Sequence, residues 1–297
     1  MCVRGDSRPA HPRKTCAAFD AATRTFGVTR ARAIVRLNVT SGNIGRRKTG
    51  IGAMAEAAND FDSADAGSIV KTTPRVDEFT IARHRKINRA AWSPLTWLWT
   101  GMDEVALLAG GPSLANHSEE IEALYARGVK IACVNATCAW ALRHSMWPTF
   151  EVVLGARETN AKFTHPPYPS TVYLLADQCH PSVFTDLDKT RTYWWDSREI
   201  RGGSTVTLCA IPILKKMGAK IIHVFGFDSC VVGNDVHHSY PQPENDGEPC
   251  AWVEINGKGF LMTMWMIAQV EDFLVLKDGW EGVKVYGDGA IAHLLRS

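Results

Sequence analysis

From residue 105 onward, short apolar runs alternate with helical stretches, and this alternation restricts the fold more than any other feature of the chain. "VALLAG" precedes a predicted helix over 118–127, "KIACVN" one over 136–144 and "EVVLG" one over 157–163. "TVYLLA" and "TYWW" follow, then a helix over 204–217, "KIIHVFGF", a helix over 260–276, "VKVYG" and a helix over 289–295. The runs are apolar throughout rather than at every second residue, which suits strands covered on both faces. Such strands alternating with helices predict βαβ units and a parallel sheet. The expected fold is therefore α/β, a Rossmann-like, doubly wound, mostly parallel sheet with helices on both faces, over residues 101–297. Gly128 and Gly218 sit where helix C-caps belong, and Asn116 with Glu119 reads as a capping pair.

The segments ahead of this domain read differently. Residues 1–53 hold eleven Lys and Arg against Asp6 and Asp20, leaving −7 on residues 54–297 of a formal total of +2. An Arg-rich, acid-poor stretch without apolar period fits a disordered arm, a presequence, or an extension upstream of a start at Met54. The expectation adopted is a basic disordered tail or spurious extension. Residues 54–100 read as a helical or irregular lead-in whose tryptophans pack on the domain. A mildly acidic body lacks the clustered positive charge of a nucleic-acid-binding face, so small-molecule substrates are expected instead. Eight scattered cysteines without a C-x-x-C pair suit buried free thiols in a reducing, cytoplasmic compartment. No apolar run reaches the ~18 residues of a membrane span.

Three stretches carry candidate chemistry. In "LLAGGPSLAN", Gly110 and Gly111 would let backbone approach an anion, Pro112 presets helix entry and Ser113 adds a hydroxyl. In "REIRGGSTVTLC", Gly202 and Gly203 precede Ser204 and Thr205 at a helix start, with Arg198 or Arg201 available opposite a phosphate; ordinary N-capping by Ser204 is the plainer alternative. In "VFGFDSCVVGNDVHHSYPQPENDGE", Asp228 follows a strand end, and Asp235, His237, His238, Tyr240, Gln242, Asn245 and Asp246 crowd the loop after it. A histidine there can serve as general base and a carboxylate can hold Mg²⁺. Zinc at Cys230 and Cys250 is disfavoured, because adjacent histidines make poor ligand geometry and no spaced set completes a site.

Taken in this order, "LLAGGPSLAN", "KIACVNATCAWALRHSMWPTFEVV", "GGSTVTLCAIPILKKMGAKIIHVFGFD" and "VYGDGAIAHLL" resemble the archaeal-type 6-hydroxymethylpterin diphosphokinase (MptE-like) family, whose relatives occur in prophages and flagellin-glycosylation loci. The resemblance implies a Rossmann-like fold and Mg²⁺-assisted transfer of diphosphate from ATP to a hydroxymethyl group. By position it implies nucleotide phosphate at Gly110, Gly111, Pro112 and Ser113, the nucleoside at Asn135, a second cradle at Gly203, Ser204 and Thr205, and metal or acceptor at Asp228. The same turn and the "GFD" strand end are also similar to those of bacterial sialyltransferases that use CMP-sugar donors, where a loop histidine is the base; His237 or His238 would take that role.

The chain departs from the family in one place. Relatives end the third strand with an acidic residue, in a pattern like "VVxDARxxN", whereas this chain reads "VVLGARETN" with Gly155 there. A metal would then rest on Glu158, Asp177 or Asp228, or catalysis is lost. Three readings follow: an ATP-dependent diphosphokinase-like transferase, a glycosyltransferase with a nucleotide-sugar donor, and a non-catalytic nucleotide-binding protein.

Overall fold

The structure is a computed structural model and describes residues 24–25, 35–38, 76–96, 102–200, 202–203, 205–232, 237–240 and 248–297. It begins with β1 (Arg24–Thr25), β2 (Val35–Asn38), α1 (Glu78–Ala91) and β3 (Ser93–Pro94). β4 (Glu104–Leu108) passes through a 3-10 turn (Pro112–His117) into α2 (Ser118–Ala126), β5 (Lys130–Val134), α3 (Thr137–Arg143) and β6 (Phe150–Val153). The short α4 (Ala161–Thr164), β7 (Val172–Ala176), β8 (Thr192–Trp195), α5 (Val206–Lys216) and β9 (Ile221–Phe225) follow. A hairpin of β10 (Cys250–Ile255) and β11 (Lys258–Thr263), then α6 (Met264–Leu276), β12 (Val283–Val285) and α7 (Ala290–Arg296) complete the order.

Eight strands form one sheet in the order β12-β9-β4-β5-β6-β7-β8-β3, and every neighbouring pair is parallel. Alternate residues of β4, β5 and β9 enter two apolar layers, one of which also takes the residues of β6 and β7. Leu107, Val134, Val152 and Val224 pack with α5, α6 and α7, while Leu108, Cys133 and Phe225 pack with α2 and α3. This double coverage is why the strand segments carry no polar alternation. The chain winds outward from β4 to β8, then α5 returns it to β9 on the other side of β4. The reversal puts a topological switch point between the carboxyl ends of β4 and β9.

α1 docks on this frame by polar contacts. Asn88 Nδ2 donates to the carbonyls of Asp177 (2.8 Å) and Cys179 (2.7 Å), and Arg89 links the carboxylates of Asp177 and Asp196. Asp196 is held down to about 2: burial opposes ionisation, and bonds from Arg198 and Arg89 outweigh it.

Several local expectations need correction. Residues 157–163 form a 3-10 turn (Glu158–Asn160) followed by one helical turn, not a single helix. Asn116 and Glu119 do not cap α2; Asn116 lies in the 3-10 turn, and the N-cap position belongs to His117. Residues 258–263 are strand rather than the first turn of a helix, paired antiparallel with β10. The signal for this hairpin was present: Asn256 and Gly257 both take positive φ (47° and 81°), as the tight turn of a two-residue hairpin demands. Gly128 and Gly218 adopt the positive φ expected of helix C-caps. Within residues 1–53, β2 pairs antiparallel with β10 and with β1; the rest of that segment lies outside the described residues. The six described cysteines are free. Among the described residues, no helix is long and apolar enough to cross a membrane.

A carboxylate breaks the apolar pattern of the core. Glu151, mid-strand in β6, is fully buried between Cys133 of β5 and Tyr173 of β7, and neither carboxyl oxygen has a hydrogen-bond partner. Burial pushes its pKa well above the usual carboxylate range, with Cys138 opposing. A folded-state pKa raised above the unfolded one means the folded state holds more protons, so stability falls as pH rises past the unfolded value of about 4.3. Glu151→Gln should therefore be more stable than the parent at pH 8. The gap should narrow toward pH 4, by up to about 1.4 kcal/mol per pH unit. Urea unfolding as a function of pH measures this, and a pH-independent gap would contradict it.

Candidate functional site

The "GGPS" turn leaves β4 at the switch point, and its glycines are demanded by protein atoms. A Cβ on Gly110 would lie 2.5 Å from Tyr240 Oη, and one on Gly111 would strike the Asp228 carboxylate and the Gly226 carbonyl. The N–H groups of the turn are engaged as well. Gly111 N donates to Gly226 O (2.7 Å), Ser113 N to Asp228 Oδ2 (2.8 Å) and Leu114 N to Gly111 O (3.1 Å). The turn is thus braced from within, by the loop that follows β9.

Asp228 is the centre of that brace. It is 2 % exposed, its own carbonyl accepts from Ala290 N (2.8 Å), and a Cβ on Gly289 would collide with its backbone. Burial raises its pKa, opposed by Ser113 and then His117. Three loops therefore meet on one carboxyl group: 110–113, 226–228 and 287–289. The third was visible in the sequence only as "GDG" and was not assigned a role there.

The second glycine-lined helix start is also filled. Gly203 has φ +60°, and a Cβ there would strike the Asp272 carboxylate of α6, while one on Gly202 would strike Cys209 at the start of α5. Thr205 is the N-cap of α5 but its side chain makes no capping bond; Ser204 and Arg201 lie outside the described residues. Both starts stand at the carboxyl edge of the sheet, because each follows a strand. They belong to opposite faces, one leading into α2 and the other into α5. Carboxylates of the protein sit against both glycine-lined starts. Arg198, 60 % exposed, is paired with Asp196 at 3.3 Å.

The histidine-bearing segment does lie over the first turn. Ser239 N donates to Gly110 O (3.0 Å), and His238 stacks on Tyr240 with ring centroids 5.5 Å apart and 22° between planes. His237 stands next to it, its ring 6.5 Å from that of His238. Asp235, Gln242, Asn245 and Asp246 lie outside the described residues.

Ser113 Oγ, in a residue 9 % exposed, and Asn135 Oδ1 are both buried and make no hydrogen bond. Ser113 belongs to the turn after β4, and Asn135, at φ +50°, follows β5 directly. Thr137 Oγ1 ties the two strand ends together, bonding Leu108 O (2.9 Å) and Val134 O (3.0 Å).

The carboxylates proposed for Mg²⁺ fit such an ion poorly. Asp228 is committed to Ser113, and Asp177, fully buried, is committed to Arg89 and Ser197. The space beside Gly155 is filled by the side-chain amide of Asn160. Among the described residues, no group of three or more His, Cys, Asp and Glu side chains is arranged to hold a metal.

A family model described as 6-hydroxymethylpterin diphosphokinase MptE-like matches residues 84–234, just over half of the chain. The chain belongs to that family. The matched span runs from α1 through the switch-point loops to the start of the histidine segment. Among solved structures, the MAf glycosyltransferase from Magnetospirillum magneticum AMB-1 is similar at TM-score 0.51 and 17% identity, over 71% of this chain and 36% of that one. The likeness is one of fold, and this MptE-like chain spans about a third of that protein. A mammalian sialyltransferase aligns at TM-score 0.39 and 8% identity, over 74% of this chain and 90% of that one, too loosely to carry an argument. No curated protein matches the sequence.

The brace can be tested by stability. Asp228→Ala would leave the Ser113 N–H buried without an acceptor, at a cost of about 1–3 kcal/mol. Asp228→Asn keeps an oxygen acceptor and should lose less. Equal losses in urea unfolding would mean that the bond to Ser113 is not what the carboxylate contributes.

Proposed function

We propose that the chain is a nucleotide-dependent transferase whose nucleotide sits at the carboxyl edge over β4 and β5, contacted by Ser113 and Asn135. The observation that carries this reading is Asn135 Oδ1, buried without a hydrogen-bond partner at the end of β5, next to the strand whose turn carries the Ser113 hydroxyl. A buried polar atom left unpaired is costly and rare; a ligand bearing a hydroxyl or amino group would complete it. Their place beside a switch point of a parallel sheet is where such folds bind ligands. Gly110, Gly111 and Pro112 then shape the wall of the site, and Asp228 fixes the turn from beneath.

In its finer form the reaction is diphosphoryl transfer from ATP to a hydroxymethyl acceptor, the activity in the family's description. The chain's part is to hold the nucleotide at Asn135 and Ser113 and to exclude water beneath the segment carrying His237 and His238. Mg²⁺ would supply charge neutralisation on the phosphates, and no step is assigned to it because the carboxylates among the described residues do not form its site.

A second reading is favoured by the placement of the histidine segment on Gly110. A histidine there is positioned to take the proton of an acceptor hydroxyl, which suits glycosyl transfer from a nucleotide-sugar donor such as a CMP-sugar.

Thermal or chemical unfolding with ATP, CTP and CMP, with and without Mg²⁺, tests both. At a hundredfold excess over Kd, a true ligand should add about 2.7 kcal/mol. Asn135→Ala should remove most of that gain while leaving the ligand-free protein's stability within about 0.5 kcal/mol of the parent. Stabilisation by CMP without metal would favour the second reading, and no response to any nucleotide would defeat both.

A further inference from the structure

The amino-terminal edge of the sheet, opposite the edge that carries Ser113 and Asn135, holds a cavity of about 250 Å³. Its apolar walls are Pro167, Tyr168 and Pro169, which lead into β7, and Tyr173 within that strand. Asp186 and Asp188, from the turn ahead of β8, add two exposed carboxylates.

The wall is fixed from behind. Tyr173 Oη, in a residue 2 % exposed, accepts the N–H of Tyr168 (2.7 Å), and Arg191 Nη1 donates to Pro169 O. Thr171 Oγ1 donates to Pro148 O (2.9 Å), which brings the exposed Trp147 to the same edge. Both prolines of the wall are exposed, and Tyr168 between them is half-buried. Aromatic-lined grooves of this kind receive proline-rich segments in the polyproline II conformation.

The two carboxylates differ. Asp188 is committed, since its Oδ1 accepts from Thr190 N (2.9 Å) and Thr190 Oγ1 (2.8 Å), and these bonds hold it below the usual carboxylate range. Asp186 stands at φ +57°, and no described residue bonds its carboxylate. A cation entering beside Tyr168 can pair with it.

The chain itself carries a segment of matching chemistry. Residues 8–13, which lie outside the described residues, read Arg-Pro-Ala-His-Pro-Arg. Polyproline II has three residues per turn and rises about 3.1 Å per residue, so prolines three apart fall on one edge roughly 9 Å from each other. Pro9 and Pro12 have that spacing, and Arg8 and Arg13 flank them. The surrounding residues 1–53 hold eleven Lys and Arg against two Asp, opposite in sign to the cavity's carboxylates. From Arg13 to β1 at Arg24 the chain can span about 36 Å. Eight strands about 4.8 Å apart make a sheet roughly 34 Å wide, so the segment reaches across it.

We propose that residues 8–13 of this chain dock in the cavity at the amino-terminal edge, as a polyproline II turn with its prolines against Tyr168 and an arginine paired with Asp186. The basic arm is thereby held on the domain, away from the edge where the nucleotide is placed. The docking does not rest on the transferase reading, because no residue is shared between the two edges.

The test is calorimetric titration of the full chain with a synthetic peptide of residues 7–14. A Pro9→Ala/Pro12→Ala chain has its own segment disabled and should bind the peptide. The parent, whose tethered segment competes at an effective concentration on the order of millimolar, should bind it at least about tenfold more weakly. Adding Asp186→Asn to the Pro9→Ala/Pro12→Ala chain should weaken the peptide by at least about threefold, the worth of an exposed ion pair, and high salt should erase that difference. The melting temperature should not move, since the side chain is exposed and Asn tolerates positive φ. Failure of the Pro9→Ala/Pro12→Ala chain to bind the peptide, or binding indifferent to Asp186→Asn, overturns the proposal. Equal binding by the parent overturns it as well, because its own segment would then not occupy the cavity.

Discussion

The carboxylate of Asp228 is the contact on which the ligand edge of this fold depends. It is almost wholly enclosed, accepts the N–H of Ser113, and is wedged by glycines of two other loops. A carboxylate without solvent has to be satisfied by protein donors or stay protonated, so the three loops hold one another in place through it. The same packing explains why residues 110 and 111 are glycine. Side chains there would displace Tyr240 on one side and Asp228 on the other, before any ligand is considered.

Carboxylates of the protein lie against both glycine-lined turns, Asp228 beneath the turn after β4 and Asp272 against Gly203 before α5. Anions are favoured where backbone N–H groups are exposed, and protein carboxylates compete for those positions with phosphates. A glycine pair followed by a hydroxyl residue cannot distinguish the two outcomes, because both need close backbone approach. A ligand would have to be recognised by other atoms of this edge, such as the buried Asn135 Oδ1.

A separate polar framework holds the far end of the sheet. Arg89 joins Asp177 and Asp196 at the ends of β7 and β8, and Asn88 joins two carbonyls beside them, so α1 is seated by directional bonds more than by apolar area. Nothing in the local pattern of "RHRKINRAAW" announced this, since a polar helix looks the same whether it is solvated or docked. Arg198, a candidate for phosphate, is drawn into the same network through Asp196.

The sequence by itself determined the class of fold and where the loops that matter would emerge. Fully apolar strands alternating with helices have few ways to be covered on both faces, and helix starts following parallel strands must gather at one edge. The turn after β4 and the segment after β9 were placed at that edge for this reason, and the ordered motifs carried membership of the MptE-like family. The "NG" of the β10–β11 hairpin was equally local and could have been read. Only the tertiary structure decided what each glycine is pressed against, that Asp228 and Asp272 fill the two helix starts, and that Gly287 and Gly289 border the turn from a distant part of the chain. Those outcomes depend on which face each crossover takes and how far side chains reach across loops, and neither is encoded in the spacing of residues along the chain.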